Sequence, residues 1–459
     1  MTGKFSRREF VKCASALSIA GAGAPFALNL ASIGAAVAQT APEYRAIVCL
    51  FFFGGNDHTN TIVPYDPTEH AAYVAARPEI AHAFNALTPT ATAPVASQGG
   101  RPFAFHPALG SFKSLYDLGK LAVVANVGPL VVPTSRTQYR NGSVPLPPKL
   151  FSHNDQQSAW QANTPVGEGA QLGWGGRMGD LLAAQNGLTT FTCISASGNA
   201  VFLSGQEVIQ YQVGPNGSTA VSGISGNLYS SATASAAYRR VIMRTSPHLL
   251  ENQYSQMVSR SVAANALLSA SLPPASTFAV PIPANNGLAS QLNVVARMIA
   301  ARGGLSANRQ VFLVSIGGFD NHDFLLDEHN LRMQSVNAAV NAFYQWLQQL
   351  QMENNVTLFT GSDFGRTLTS NGDGSDHGWG AHHFVLGGAV QGGNIYGTFP
   401  QVTFNTNDDV GQGSLLPTTS VDQYAATIAR WFGVQDSRMV DVLPNIGNWG
   451  ASRYLGFLT

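Results

Sequence analysis

The chain has 459 residues, of which 45% are hydrophobic and only 11% are charged, and its basic and acidic side chains balance at 25 each. This length and hydrophobic content predict a globular protein with a large core and exclude a disordered chain. A zero net charge provides no basic field for a nucleic-acid backbone, so we exclude nucleic acid as a partner.

The first 38 residues have the pattern of an export signal. The segment SRREFVK contains the paired Arg7 and Arg8, and it precedes a long run rich in Ala and Gly that ends in AVA at residues 36–38. Paired arginines, an apolar run and a small-residue cleavage site are typical of a twin-arginine signal peptide. The few large apolar residues in the run disfavour a membrane anchor. We therefore expect a protein exported to the periplasm or beyond, with the twin-arginine translocon as its partner during export and no membrane span after cleavage.

The rest of the chain, residues 41–459, reads as a single domain in which strands alternate with helices. Apolar runs that close on Gly, Ser or Asp predict strands at AIVCLFFF before Gly54-Gly55 and within residues 120–130, 191–197, 309–320, 355–365 and 382–390. Helical apolar spacing predicts helices within residues 288–304, 327–352 and 420–434. This alternation predicts an α/β fold with a mostly parallel sheet covered on both faces, a three-layer α/β/α sandwich.

Two features stand apart from this pattern. Residues from about 197 to 250 are rich in Gly, Ser, Asn and Thr, and we interpret them as an insertion or lid. Cys49 and Cys193 lie in apolar runs and are expected to be buried. The sequence does not predict whether these two cysteines pair.

Ionisable residues cluster where the predicted strands end. Asp57 follows the first strand, Asp320 and His322 follow a later one, and Asp363 opens the Gly-rich stretch SDFGRTLTSNGDGSDHGWGAHHF. Because ligands of an open parallel sheet bind beyond the carboxyl ends of its strands, we expect these groups to meet at one edge. Carboxylate and imidazole together suit zinc, manganese or a similar divalent ion. The predicted metal ligands are Asp57, Asp320, His322, Asp363, His377 and His383.

Turn and capping roles compete with these assignments. An aspartate after a strand often stabilises a turn, and this interpretation is favoured for Asp373 and Asp376, as it is for His58 after the first strand. His382 and His383 are neighbours in a predicted strand, so at most one of them can face the site.

The segment FSHNDQQSAWQ, residues 151–161, has two interpretations. Ser152 and His153 could provide a nucleophile or a ligand, whereas Asn154 or Asp155 could instead cap a helix. Arg366 could bind an anion or pair with a carboxylate. The chain has no G-x-S-x-G elbow, no G-x-G-x-x-G after its first strand and no Walker loop.

Five motifs and the export signal together resemble the exported bacterial family called domain of unknown function 1501, from about Tyr44 to Phe457. The motifs are FFFGGNDHTNT, SHNDQQSAWQ, GGFDNHD, SDFGRTLTSNGDGSDHGWGAHHFVLGGAVQGG and SVDQYAATIARWFGV. That family resembles the alkaline phosphatase and sulfatase superfamily. The resemblance implies an alkaline-phosphatase-like fold with a metal site at the strand ends.

The resemblance also implies roles for particular residues. It assigns metal binding to Asp57 or Asn56, to the pair Asp320 and His322, and to His377 with His383 as its competitor. At Asp363 the usual following histidine is replaced by Phe364. The nucleophile of the superfamily falls within FSHNDQQSAW, where His153 takes its place beside Ser152.

These predictions favour a periplasmic metal-dependent hydrolase of phosphate, sulfate or related esters, acting on a small-molecule or glycan ester. The cation would be zinc, manganese, magnesium or calcium, and the predicted catalytic residues are Ser152, His153 and Arg366. The alternative is a non-catalytic cell-envelope or glycan-binding protein on the same scaffold, which the missing histidine at Phe364 and the polar insertion favour. The sequence does not predict an oligomeric state.

Overall fold

A nine-stranded sheet forms the centre of the computed structural model, which describes residues 43–164, 169–218, 220–224 and 226–458. The predicted export signal, residues 1–38, lies outside the described residues. The strands are β1 (Arg45–Phe52), β2 (Ile62–Pro64), β3 (Phe103–Phe105), β4 (Leu121–Gly128), β5 (Cys193–Ser195), β6 (Tyr211–Gln212), β7 (Arg309–Ile316), β8 (Val356–Ser362), β9 (Arg366–Ser370), β10 (Ser375–His377), β11 (Ala381–Leu386), β12 (Ile395–Tyr396) and β13 (Thr419–Ser420).

Helices connect most of these strands. The α-helices are α1 (His58–Thr61), α2 (Pro67–Ala76), α3 (Phe84–Leu87), α4 (Gly110–Asp117), α5 (Arg136–Asn141), α6 (His153–Ala162), α7 (Trp174–Leu182), α8 (Ala232–Ile242), α9 (Leu249–Ser271), α10 (Gly287–Ala300), α11 (Leu325–Gln349), α12 (Val421–Phe432) and α13 (Met439–Val442). Short 3-10 helices cover Thr88–Thr90, Ala96–Gln98, Ala183–Gln185, Thr189–Phe191, Val201–Leu203, Ala275–Thr277, Ala301–Gly303, Asp436–Arg438 and Ile446–Arg453.

The sheet is mostly parallel, as predicted, with one reversed strand. Its order is β12-β4-β11-β8-β1-β7-β5-β6, and β13 pairs with β4 beside this path. Strand β1 is parallel to both β7 and β8, whereas β11 is antiparallel to both β4 and β8. Only the β9–β10 hairpin lies between β8 and β11. Two parallel neighbouring strands need a crossover connection, which is usually a helix. Because a short hairpin connects β8 to β11 instead, β11 runs antiparallel to β8.

Both faces of the sheet are buried, which confirms the three-layer sandwich. Successive residues of β1 alternate between two separate core clusters: Val48 belongs to the first and Cys49 to the second. The first cluster takes in α4, α10 and α11, and the second takes in α6, α7, α12 and α13. This double coverage explains why β1 reads as a continuous apolar run rather than an alternating one.

The helix predicted within residues 420–434 forms near its expected ends because its caps are encoded locally. Ser420 and Gln423 form a capping box at the start of α12, which satisfies two backbone N–H groups that the helix leaves open. Gly433 ends the same helix at φ 120°, a conformation that favours glycine. Cap signals therefore fix this helix to within two residues of its predicted range.

The predicted insertion, residues 197–250, contains both sheet and helix in its described part. Strand β6 extends the sheet by pairing with β5, and α8 and the start of α9 follow. The described residues from Tyr44 onwards group into one compact unit. Among the described residues, no helix combines the length and the apolar character that a bilayer crossing requires.

Cys49 and Cys193 are both buried and free. They lie on β1 and β5, and β7 runs between these two strands. Strands that are two positions apart in a sheet are separated by about 10 Å, which exceeds the roughly 7 Å that a disulfide can bridge between Cα atoms. The fold therefore keeps the two thiols apart.

Candidate metal centre

Three loops meet where β7, β1 and β8 end. Phe52 is paired with Ile316 of β7 and with Ser362 of β8, so the three strands finish at the same level of the sheet. The loops that follow carry Asp320 and Asp363, as the sheet-edge argument predicts.

A cluster of His153, Asp320 and His377 lies at this edge. Each residue offers one ligand atom, and these atoms all lie within 4.8 Å of one another. Nε2 of His153 is 3.3 Å from Oδ2 of Asp320, and Nε2 of His377 is 3.2 Å from Oδ1. Nε2 of His322 lies 3.1 Å from Oδ1 of Asp320 and 3.1 Å from Nε2 of His377. Four of the residues singled out in the sequence are therefore brought together.

The hydrogen bonds behind the cluster define which histidine nitrogens are available. Nδ1 of His153 lies 2.7 Å from Oδ2 of Asp363, and Nδ1 of His377 lies 2.8 Å from the carbonyl oxygen of Phe151. Both partners are acceptors, so both Nδ1 atoms donate, and a neutral ring then presents a lone pair at Nε2. Nε2 of His153 is buried and has no hydrogen-bond partner among the described residues.

The Nε2 lone pairs of His153 and His377 thus converge on the carboxylate of Asp320. A divalent cation satisfies all three groups, and histidine rings held from behind by an oxygen acceptor are the usual arrangement at metal sites. Two histidines and one carboxylate form a donor set suited to zinc or manganese. The residues present therefore fit a metal.

Asp363 supports this arrangement from a buried position. Its Oδ2 accepts hydrogen bonds from the backbone N–H of Gly54 at 3.1 Å, from Nε2 of Gln157 at 2.8 Å and from His153. The hydrogen bond with Asp363 raises the pKa of His153. Oδ1 of Asp363 is buried and has no hydrogen-bond partner in the described part of the chain. The geometry shows Asp363 orienting His153, while direct metal binding by Asp363 stays a prediction.

Arg366 holds Asp320 in place. Its Nη1 donates to Oδ1 of Asp320 at 2.7 Å, and the guanidinium also contacts Ser375. Burial by itself would raise the pKa of Asp320, but the hydrogen bond and the charge of Arg366 lower it to about 2. Arg366 is fully buried. Of the two predicted roles for Arg366, the contact observed is pairing with a carboxylate; anion binding stays a prediction.

Ser152 precedes α6 but does not face the cluster through its hydroxyl. The Oγ donates to Oδ2 of Asp155 at 2.8 Å, and Nζ of Lys149 lies 3.6 Å from the other oxygen of Asp155. The helix begins at His153, without a side-chain hydrogen bond from Ser152 to its first turn. Nothing in this geometry points the hydroxyl towards Asp320 or His377.

Asp57 does not join the cluster, which corrects the expected convergence. Both of its oxygens accept from Arg77, at 2.9 Å each, and both side chains are buried. Burial alone would raise the pKa of Asp57, but Arg77 lowers it. The neighbouring Asn56 accepts from Nε2 of His329 at 3.0 Å. This loop is therefore tied to the protein interior, because its polar groups already have buried partners.

His383 also lies apart from the cluster, in the second core. Its Nδ1 is 3.2 Å from Oγ1 of Thr360, and its ring packs near Trp160 and Tyr424. Burial lowers its pKa to about 3. The neighbouring His382 accepts a hydrogen bond from the backbone N–H of Asn126. Strand pairing of β11 encloses both histidines, so neither reaches the loop edge.

Three structural roles were not predicted from the sequence, two of them in the site and one beside Asp57. Gln157 lies one helical turn after His153, and this i, i+4 spacing could have indicated it. Phe364 packs its ring 4.8 Å from the ring of His153 and 4.6 Å from that of His377, so it forms an apolar wall of the site. No sequence pattern indicated that Arg77 would pair with Asp57.

Comparison with known proteins gives a family and distant structural similarities. A family model described as "Protein of unknown function (DUF1501)" matches residues 44–443. No curated protein matches the sequence.

Solved structures similar to this chain include the PsFucS1 sulfatase from Pseudoalteromonas sp., at 11% identity over 89% of this chain and 71% of that one, with a TM-score of 0.35. The lipoteichoic acid synthase LtaP from Listeria monocytogenes is similar at 8% identity over 88% and 76%, with a TM-score of 0.35. The alkaline phosphatase of the Antarctic bacterium TAB5 is similar at 9% identity over 76% and 92%, with a TM-score of 0.27.

Proposed function

Because this chain belongs to the DUF1501 family, whose description assigns no activity, we propose its function from its own site: a metal-dependent hydrolase of phosphate, sulfate or related esters. The observation that carries the proposal is the convergence of Nε2 of His153, Nε2 of His377 and the carboxylate of Asp320. A divalent cation bound there would act as a Lewis acid on an ester oxygen and offset the negative charge of the transition state.

The residues of the chain provide the positioning that such chemistry needs. Asp363 fixes the ring of His153, and Arg366 fixes Asp320, so the donor atoms are set before a substrate arrives. Preorganised donors of this kind avoid reorganisation during the reaction. Phe364 and the packed rings beside it limit water on one side of the site.

His322 is suited to move a proton. Its ring is partly exposed, and its Nδ1 lies 3.4 Å from Oδ1 of Asp376, which leaves Nε2 directed to the cluster. Histidine is the side chain best matched to acid–base work near neutral pH. We assign the doubly protonated ring of His322 the transfer of its Nε2 proton to the leaving oxygen, after which the ring keeps its Nδ1 proton beside Asp376.

The position of Ser152 favours water as the attacking group. The serine hydroxyl already donates to Asp155, and its geometry does not direct it to the cluster. We therefore expect Ser152→Ala to retain activity, while a serine nucleophile would make this variant inactive. The same missing nucleophile is what favours the second candidate, a non-catalytic envelope or glycan-binding protein.

The experiment compares the wild type with Asp320→Asn and with the matched control Asp323→Asn, which alters an exposed aspartate of the same loop. Each protein is stripped with chelator, reloaded with Zn²⁺ or Mn²⁺, and assayed on p-nitrophenyl phosphate and p-nitrophenyl sulfate. We expect metal-dependent hydrolysis that falls about a hundredfold or more in Asp320→Asn alone. Equal rates in the two variants, or no bound metal by elemental analysis of the wild type, would reject the hydrolase and favour the non-catalytic protein.

The proposal extends to location. The paired Arg7 and Arg8 before an apolar run support export through the twin-arginine translocon. Cell fractionation of a bacterial host tests this: Arg7→Lys/Arg8→Lys should retain the protein in the cytoplasm. Unchanged export of that variant would argue against this route.

A further inference from the structure

One row of apolar residues runs along the long helix α9, and only the C-terminal part of that row is covered. Leu250, Tyr254, Met257, Ala264 and Leu268 are spaced by three, four and seven residues, so they share one face of the helix. Ala264 and Leu268 pack into the first core cluster. Leu250, by contrast, is 73% exposed, Tyr254 is 55% exposed and Met257 is 49% exposed. The face that anchors α9 to the core therefore continues uncovered into solvent.

The preceding helix α8 is also uncovered. None of its residues is buried, and Val241 is 63% exposed. Half of the large hydrophobic side chains that are exposed in the described residues lie between residues 229 and 257. They are Tyr229, Tyr238, Val241, Leu249, Leu250, Tyr254 and Met257. Single exposed hydrophobic residues are ordinary, but a concentration of them marks an interaction surface. We call residues 229–260 the helical surface.

The helical surface is also basic, although the whole chain is neutral. It contains four arginines and one acidic residue, Glu251. The arginines are Arg239, Arg240, Arg244 and Arg260. The only ion pair described within it joins Arg244 to Glu251 at 3.5 Å, and both side chains are exposed. Two copies of this surface would repel each other, so its charge calls for an anionic partner.

We propose that the helical surface binds membranes that contain anionic lipids. Helices that lie in a membrane interface combine Leu and aromatic side chains, which enter the boundary between headgroups and acyl chains, with arginines that contact the phosphates. Leu249 and Leu250 precede Tyr254 on α9, while Arg240 lies near the end of α8 and Arg244 lies in the segment that joins the two helices. The helical surface has each of these elements and uses none of its exposed apolar side chains for its own core.

Vesicle cosedimentation of the full chain tests the proposal. The vesicles are pure phosphatidylcholine, or phosphatidylcholine with about 30% phosphatidylglycerol. Leu250→Ser/Tyr254→Ser should lower the partition coefficient about tenfold on both vesicle types. Arg240→Gln/Arg244→Gln should lower it about tenfold on the anionic vesicles only. The matched control, Leu118→Ser/Leu331→Ser, removes two exposed leucines elsewhere and should bind like the wild type.

The matched variants separate lipid binding by the helical surface from lipid binding by the N-terminal segment and from hydrolysis. Every protein carries the same N-terminal segment, so any binding by that segment is common to all samples. The assay uses no substrate and no added metal, so its outcome does not depend on hydrolytic activity. Equal binding by the wild type and Leu250→Ser/Tyr254→Ser would overturn the proposal. Preferential binding of the wild type to polyglutamate rather than to vesicles would also overturn it. So would a wild-type protein that forms a dimer and does not bind vesicles, if Leu250→Ser/Tyr254→Ser no longer forms that dimer.

Discussion

The availability of each histidine nitrogen in the site is decided by a single oxygen behind the ring. Asp363 takes the Nδ1 proton of His153, and the carbonyl of Phe151 takes that of His377. The nitrogen that faces the cluster is set in each case by a residue that sequence patterns do not connect to it. Residue-level predictions therefore concern these supporting groups as much as the ligands.

Asp363→Asn should weaken metal binding. The substitution removes the charged acceptor that holds the Nδ1 proton of His153, and changes of this kind typically cost tenfold to about a hundredfold in metal affinity. Titration of the metal-free protein with Zn²⁺ by calorimetry measures the effect. Asp373→Asn, an exposed aspartate in the following loop, is the matched control and should bind like the wild type. An unaltered affinity in Asp363→Asn would contradict the orienting role.

Asp57→Asn should destabilise the fold without changing metal content. It leaves the guanidinium of Arg77 buried without its counter-charge, and breaking a buried pair costs about 3–5 kcal/mol in the free energy of unfolding. Urea unfolding and elemental analysis give the two readouts. The control is Asp441→Asn, which breaks the exposed pair with Arg438 and should cost less than about 1 kcal/mol. Loss of metal at full stability would instead make Asp57 a ligand.

At the level of elements, the sequence predicts most of the sheet because buried parallel strands are continuous apolar runs. Strands β7 and β8 lie within their predicted ranges and β1 begins one residue before its range, and the meeting of Asp320 with His377 follows from the shared edge of the sheet. The direction of β11 was not predictable, since it depends on the β9–β10 hairpin replacing a helix. The partner of Asp57 was not predictable either, because Arg77 contacts it through tertiary packing alone.

The Gly-Gly turn after β1 supports the site sterically. Gly55 has φ 81°, and a Cβ at this position would lie 2.3 Å from Cε2 of Phe364. Gly55→Ala should therefore cost about 1–3 kcal/mol of stability and displace the ring that packs on His153 and His377. Thermal unfolding and zinc titration should both shift. Gly110→Ala is the control, because nothing lies within 4 Å of a Cβ there. A wild-type melting temperature for Gly55→Ala would contradict this account.

For the whole molecule, buried histidines link stability to pH. The rings of His82 and His106 are 4.6 Å apart, and those of His106 and His329 are 5.1 Å apart. Each of these three residues has a buried ring nitrogen without a hydrogen-bond partner among the described residues. Burial lowers the pKa of His82 to about 4 and that of His329 to about 4, although Asp57 nearby opposes the shift and Arg77 reinforces it.

Stability should fall as the pH drops from 6.5 to 4. In this interval the histidines bind protons in the unfolded chain but stay neutral in the folded protein, so the free energy of unfolding decreases with decreasing pH. Each such histidine contributes up to about 1.4 kcal/mol per pH unit. Urea unfolding at a series of pH values should show a shallower slope for His329→Gln than for the wild type. His248→Gln, which alters an exposed histidine, should leave the slope unchanged, and equal slopes for both variants would contradict the assignment.

The donor atoms of the cluster come from residues 153, 320 and 377, and long segments of sheet and helix separate each of these residues from the next. A ribosome must therefore have released most of the chain, and the strands around β7 and β8 must have assembled, before any cation finds its donors. For the proposed metal site, the ion would therefore be selected in the compartment where the protein completes its folding, by the concentrations of the competing metals there.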